Sequence, residues 1–357
     1  MTKLLRFSKA KTLNPTKQDI PCLSKSTSSK EEDSVDKDLQ KLQKYIDALS
    51  KPFVDKLQLA KLAKDGVDKI VRGQVWKLLI GYIPCERQKQ FETQRSKRQD
   101  YISMATRLMA TGLTVNEEKS EIQIMKDIKR MTREVPLLHN DRIQKLMLRL
   151  LLVYSIKHPA SGYVQGFDSM ASVFLVVYLT DYTGTSSSVS QIDSMTVDEL
   201  SEIEADVYWS FSWMLQAIQN QYTFDQPGIQ KQIDDLSTLT KRYNPKLFKH
   251  FSDQNLTFFQ FSFRWFNCCL VREFSIDAIQ VIWDSFISEP NGFGFLSLTL
   301  FVSLSLLDFF SSQLISLEYS DLISFLQNLP TSNLSLDDIH KLIIQAYTYS
   351  NLEKLCN

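Results

Sequence analysis

In a chain of 357 residues, 41 basic side chains balance 41 acidic ones, so no overall field draws the protein toward nucleic acid or an anionic membrane, and any partner must be recognised by a local surface. An apolar fraction of 43% can fill a substantial core, and only ten glycines and ten prolines favour helices. The five cysteines, Cys22, Cys85, Cys268, Cys269 and Cys356, show neither a CxxC pair nor the spacing of a secreted disulfide scaffold, which points to a reducing compartment.

Residues 1–35 are rich in Lys, Ser and Thr, lack apolar periodicity, and are interrupted at Pro15 and Pro21; they read as a disordered tail without the apolar core of a secretory signal. From Asp36 a helix is written by Leu39, Leu42, Ile46 and Leu49, ending near Pro52. A short helix, a turn at Gly66 and a second helix carrying Arg72 and Trp76 follow. Trp76 is expected in the core, with Arg72 one turn earlier placed to pair in the same layer. Phe91 to Arg98 carries mixed charge and reads as a solvated helical face.

The stretch from Ile124 to Asp168 holds polar residues that folding alone does not require. Ile124, Asp127, Ile128 and Arg130 fall at helical spacing, so the isoleucines face a core while Asp127 lies one turn before Arg130, where a carboxylate can steer a guanidinium. Pro136 breaks this helix. A second, built on Ile143, Leu146, Leu150 and Val153, runs out at Lys157 and leads to Gly162-Tyr163-Val164-Gln165-Gly166. Lys126, Lys129, Arg130 and Arg133 also fit an ordinary solvated basic face, and Gln165 an ordinary loop amide. Together the two halves offer a planar charged donor and a carboxamide that both donates and accepts, the groups needed to spread phosphoryl charge and orient a water.

Beyond this stretch, Met170 to Leu179 is a buried helix too short for a bilayer, and Thr180 to Val197 reads as a surface loop. Trp209 and Trp213 stand one turn apart on a helix from Glu202 to Ile218, and Asn244-Pro245 has the form of an N-cap followed by proline. Phe258 to Glu273 embeds Arg264 and Arg272; a buried arginine requires an acid, and Asp206 and Asp284 are candidates by type. Phe293 to Leu307 alternates Leu with Ser and Thr as a strand would, but a lone strand in a helical chain has nothing to pair with, so a buried helix is expected. Ser335 and Asp338 form a candidate capping box for a last helix through Tyr347.

His139, His158, His250 and His340 offer no i, i+4 metal pair, and neither a GxxxxGK[ST] nor a GxGxxG loop is present. No GxSxG serine, and no cysteine with a plausible histidine, supplies a covalent nucleophile.

Ile124-x-x-Asp127-x-x-Arg130 and Tyr163-x-Gln165-Gly166 resemble the two fingerprint motifs of the TBC domain family, GTPase-activating proteins for Rab GTPases. Arg72-x-x-x-Trp76, the segments around Asp206 and Gln226-Pro227-Gly228, Arg264-Trp265, Trp283-Asp284 and Leu329-Pro330 resemble further family blocks in the family's order, over roughly Lys56 to Tyr347. The nearest likeness is to the yeast-type Ypt/Rab activators of the Golgi. The resemblance implies an all-α fold: a disordered tail over 1–35, one large multi-helix domain over 36–350 and a C-terminal tail over 351–357.

It further implies that Arg130 is an arginine finger and Gln165 a glutamine finger, both supplied in trans. Asp127, Tyr163 and Gly166 would position them, while Arg72, Trp76, Asp206, Arg264, Trp265 and Asp284 would be structural. The implied partner is a GTP-bound Rab that brings its own GTP and magnesium, so no cofactor or metal is expected on this chain. The chain is then cytoplasmic, without a transmembrane segment, and recruited peripherally to Golgi or other endomembranes through the Rab. The alternative is a catalytically silent Rab-binding scaffold. Departures from the family pattern are Met131 and Arg133 after the finger, where Thr and Pro are usual, Asp168 where Asn is usual, and Gly66-Val67-Asp68 for Gly-Ile-Pro.

Overall fold

Helical periodicity and the scarcity of glycine and proline predict helices, and helices form. The computed structural model describes residues 29–131, 136–183 and 189–356. Its first half carries α1 (Ser29–Leu49), α2 (Lys56–Ala63), α3 (Arg72–Leu79), α4 (Arg87–Ala110), α5 (Val115–Met131), α6 (Asp141–Lys157), α7 (Phe167–Thr183) and α8 (Val189–Ser194). The second half carries α9 (Val197–Ala217), α10 (Pro227–Tyr243), α11 (Pro245–Asp253), α12 (Phe259–Asn267), α13 (Ile276–Ser288), α14 (Gly294–Phe309), α15 (Ser311–Ile315), α16 (Tyr319–Gln327) and α17 (Leu336–Cys356). Among the described residues the sole β pairing is an isolated bridge between Phe53 and Glu86. Residues up to Lys41 separate from a large unit, Leu42–Asn357, that holds the site.

Within that unit α7 is the core helix, because twelve of its residues from Phe167 to Leu179 are buried and so leave no solvated face. It packs against α3, α5, α6, α9 and α13. Trp76 of α3 and Trp283 of α13 close on Phe174 at 5.6 and 5.4 Å between ring centroids. A buried carboxylate ties these layers. Asp284 accepts from Trp76 Nε1 at 2.7 Å, Arg72 Nε at 3.0 Å and the Val67 N–H at 2.7 Å, so the Arg72-x-x-x-Trp76 spacing aims two donors from one helix face at one acid.

A second buried carboxylate, Asp206 of α9, collects Tyr82 Oη at 2.7 Å, Arg98 Nη2 at 2.7 Å and Lys77 Nζ at 2.9 Å. The pairings therefore differ from those expected: Asp284 serves Arg72, Asp206 serves Arg98, and Arg264 takes Glu273 at 2.7 Å instead. Arg264 is also only partly buried, at 40% exposure, while the carboxylate it caps is buried. The mixed-charge face of α4 is likewise not simply solvated, because Arg98 turns inward to α9.

Other limits shift. The helix expected from Asp36 starts at Ser29, and the part of the expected tail before that residue lies outside the described residues. In place of one loop from Thr180 to Val197, α7 runs to Thr183 and α8 occupies Val189–Ser194. The end of α8 is held by Arg142, whose guanidinium donates to the carbonyls of Ile192, Asp193 and Met195, a long-range partner that local composition does not reveal. The last helix continues to Cys356. In α14 the serine alternation is compatible with a buried helix because Thr299, Ser303 and Ser305 return their hydroxyls to the carbonyls four residues back. No helix of the described residues is long and apolar enough to cross a membrane.

Candidate functional site

The site is built where α5 meets the loop between α6 and α7. Thr114 starts α5 with a reciprocal cap: its N–H donates to Glu117 Oε2 at 2.6 Å, and the Glu117 N–H returns to its hydroxyl. Ile124, Ile128 and Met131 bury one face against α6 and α7, and Asp127 is carried inward with them to 1% exposure. Arg130, three residues on, projects outward at 67% exposure, with Nη1 resting 3.2 Å from Asp127 Oδ1.

The loop is shaped by two left-handed glycines. The Gly162 N–H closes α6 on the His158 carbonyl at 2.8 Å with φ +60°, and Gly166 turns into α7 with φ +111°. A Cβ at Gly166 would lie 2.6 Å from Cys268 Sγ and 3.2 Å from Asn267 Nδ2, so glycine is required twice over. Between them the Tyr163 ring stands edge-on to Phe167, and its hydroxyl donates to Asp127 Oδ2 at 3.1 Å, with Asp168 Oδ1 at 3.3 Å. Asp127 thereby links Arg130 to the loop. Gln123 Nε2 adds a third donor to it at 3.1 Å.

Gln165 has its backbone carbonyl fixed by Asn267 Nδ2 at 3.0 Å while its side chain is exposed. Among the described residues no hydrogen bond engages that carboxamide. The arrangement thus presents a guanidinium and a carboxamide outward from two braced elements. Asp168 lies buried beneath, accepting the Gly166 N–H at 3.0 Å; it does not project toward solvent. Burial pushes its carboxyl above the usual range, Arg272 at 3.9 Å opposes this, and neighbouring Asp127 reinforces it. Burial and the two carboxylates likewise push the Tyr163 phenol far up, so it is a permanent donor.

The structure therefore brings together Asp127, Arg130, Tyr163, Gly166 and the Gln165 backbone. Arg72, Trp76, Asp206, Asp284, Arg264 and Trp265 stand apart as core ties. Sequence reasoning missed Gln123 and Asn267, and offered Arg272 only Asp206 or Asp284 by type, whereas it donates to Ser169 Oγ at 3.1 Å and faces Asp168 at 3.9 Å. Helical spacing exposes Gln123 four residues before Asp127, but nothing local signals Asn267. Met131 is buried and accepts from Ser169 Oγ; Arg133 lies outside the described residues. No group of three or more His, Cys, Asp or Glu side chains able to hold a metal is found among the described residues.

The profile of the Rab-GTPase-TBC domain matches residues 69–315, a span containing both halves of this site. The chain belongs to that family. Similar proteins include the GTPase-activating protein gyp1 of Schizosaccharomyces pombe, 36% identical over 88% of this chain and 62% of the relative. Human TBC1 domain family member 22B is 33% identical over 86% of this chain and 61% of its own length. This TBC chain thus spans about three-fifths of the curated relatives it matches. Its fold superposes on the crystal structure of the Ypt/Rab-GAP domain of Gyp1p with a TM-score of 0.82 at 33% identity, over 88% of this chain and 99% of that one.

Proposed function

We propose that this TBC chain is a GTPase-activating protein for a Rab-family GTPase in vesicle trafficking, supplying Arg130 and Gln165 to the partner's nucleotide site. The observation that carries the reading is the Tyr163–Asp127–Arg130 chain of hydrogen bonds, which braces an exposed guanidinium beside the loop that bears an exposed carboxamide. Hydrolysis transfers the terminal phosphoryl group to water, and charge grows on the bridging and terminal oxygens. Arg130 leaves Asp127 to donate its planar fork to those oxygens, a contribution of about a thousandfold or more in rate. Gln165 accepts a hydrogen bond from the attacking water with its carbonyl oxygen and donates from its amide to the phosphoryl oxygens. The GTP and magnesium belong to the partner. Relatives that are themselves named GTPase-activating proteins support the same reading.

Recruitment to Golgi or other endomembranes follows from the partner. The test is phosphate release from a panel of GTP-loaded Rab GTPases with the purified chain. Acceleration of at least one is expected; binding without acceleration would make the chain a silent Rab-binding module.

A further inference from the structure

We infer that the outward face of α5, centred on Ile122 and Lys126, is the ridge on which the GTP-bound GTPase seats before Arg130 enters its nucleotide site. This inference rests on the reading of the chain as a partner of such a GTPase. At 100° per residue, Ile122 falls opposite the buried face made by Ile124, Asp127, Ile128 and Met131. Val115, Glu118, Lys119, Lys126 and Arg130 all lie within about 80° of Ile122 around the same helix. The finger and the ridge therefore share one exposed surface.

Ile122 is 56% exposed and Val115 68%, apolar side chains on a face that the core does not use. Lys119 and Lys126 are exposed, and among the described residues neither enters an ion pair. With Lys129 and Arg130 they oppose the single carboxylate of Glu118 on this face, although the chain as a whole is neutral. The complementary partner surface is an apolar spot surrounded by acids.

Reach fixes the occupant. Ile122 lies eight residues from Arg130, about 12 Å along the axis, whereas a standard interface of about 800 Å² per partner has a radius of about 16 Å. A protein whose contact surface is centred on the Arg130 guanidinium therefore covers the turns that carry Lys126 and Ile122. Burying these side chains supplies affinity and steering, and the chemistry stays with the finger.

Ile122→Ser and Lys126→Glu test the ridge in the full chain, with the exposed Lys231→Glu on α10 as a control. On a Rab GTPase that the wild type accelerates, each α5 variant should raise KM by roughly tenfold and leave kcat within about twofold. Lys126→Glu should also flatten the fall of kcat/KM with added salt, and the control should change neither constant. Unchanged KM in both α5 variants would overturn the ridge while leaving the activator reading intact. If the wild type accelerates no member of a GTP-loaded panel, equilibrium binding decides. Binding weakened by Ile122→Ser keeps the ridge without catalysis, whereas no binding, or binding indifferent to both variants, removes it.

Discussion

Asp168 shows how one side chain under a site can register in stability. Its Oδ1 is shared by the Gly166 N–H and the Tyr163 hydroxyl, while its Oδ2 has no hydrogen-bond partner among the described residues. Burial raises its carboxyl pKa against the pull of Arg272. An unfolded aspartate titrates near 4, roughly, so between that value and its higher folded value the native state keeps a proton that the unfolded chain has lost. Stability is therefore given up as pH rises through that window. Asp168→Asn removes the loss, so urea unfolding across pH should show the variant gaining on wild type from about pH 4 upward and then levelling off. Parallel stability curves would contradict this.

Asp206 carries the opposite sign. Burial pushes it up, but Lys77 and Arg98 outweigh burial and hold it at about 2. Its contribution is present above the unfolded value and is lost as pH falls from about 4 toward the folded one. Arg98→Ala should destabilise by about 2–3 kcal/mol near neutrality and move acid unfolding to higher pH, as followed by circular dichroism. An unmoved acid midpoint would show that Lys77 alone suffices.

At the scale of elements, the loop between α6 and α7 depends on Gly166. Gly166→Ala forces a side chain into φ +111° and against the Cys268 sulfur, beside the Asn267 amide that holds the Gln165 carbonyl. About 1–3 kcal/mol of strain is expected, together with a kcat loss of roughly tenfold or more. Cys268→Ala in the same chain relieves the contact but not the dihedral, so steady-state kinetics should show partial recovery only. Arg264→Ala probes the join of α12 to the turn Val271–Glu273. Glu273 is buried, but Arg264 is 40% exposed, which screens the pair; a loss of about 2 kcal/mol in thermal unfolding is expected.

These elements also show what was legible. Ile124, Asp127, Ile128 and Arg130 repeat at helical spacing, so α5 and the placing of Asp127 one turn before Arg130, where it steers the guanidinium, could be read directly. In α14 the same local rule pointed to a strand, and only the requirement for a pairing partner favoured a helix. The helix α8 gave no such signal, because the cation that satisfies its carbonyls is about fifty residues away, at Arg142.

Across the whole molecule, what escaped the sequence is pairing. Arg72 and Asp284 are 212 positions apart and meet in the core, and the need for an acid beside Arg264 was legible while Glu273 as its identity was not. Asn267, 102 positions from Gln165, supports the loop through a carbonyl, an atom common to every residue, so no residue type announces it. The motif residues themselves were visible because polar groups stood where burial did not require them. The fold then converts Asp127 from a neighbour of Arg130 into the link between α5 and the loop.

That link is the basis of the proposed mechanism, and single-turnover GTP hydrolysis on one accelerated Rab, with the chain in excess, tests it most directly. Arg130→Ala and Gln165→Ala should each lower the maximal rate far more than they weaken binding, the former by about a thousandfold. Arg130→Lys should fail too, because an ammonium lacks the planar fork. The double variant should lose less than the sum of the two single losses in free energy, since each group acts only with the other in place. An Arg130→Ala chain that retained wild-type acceleration would contradict the account.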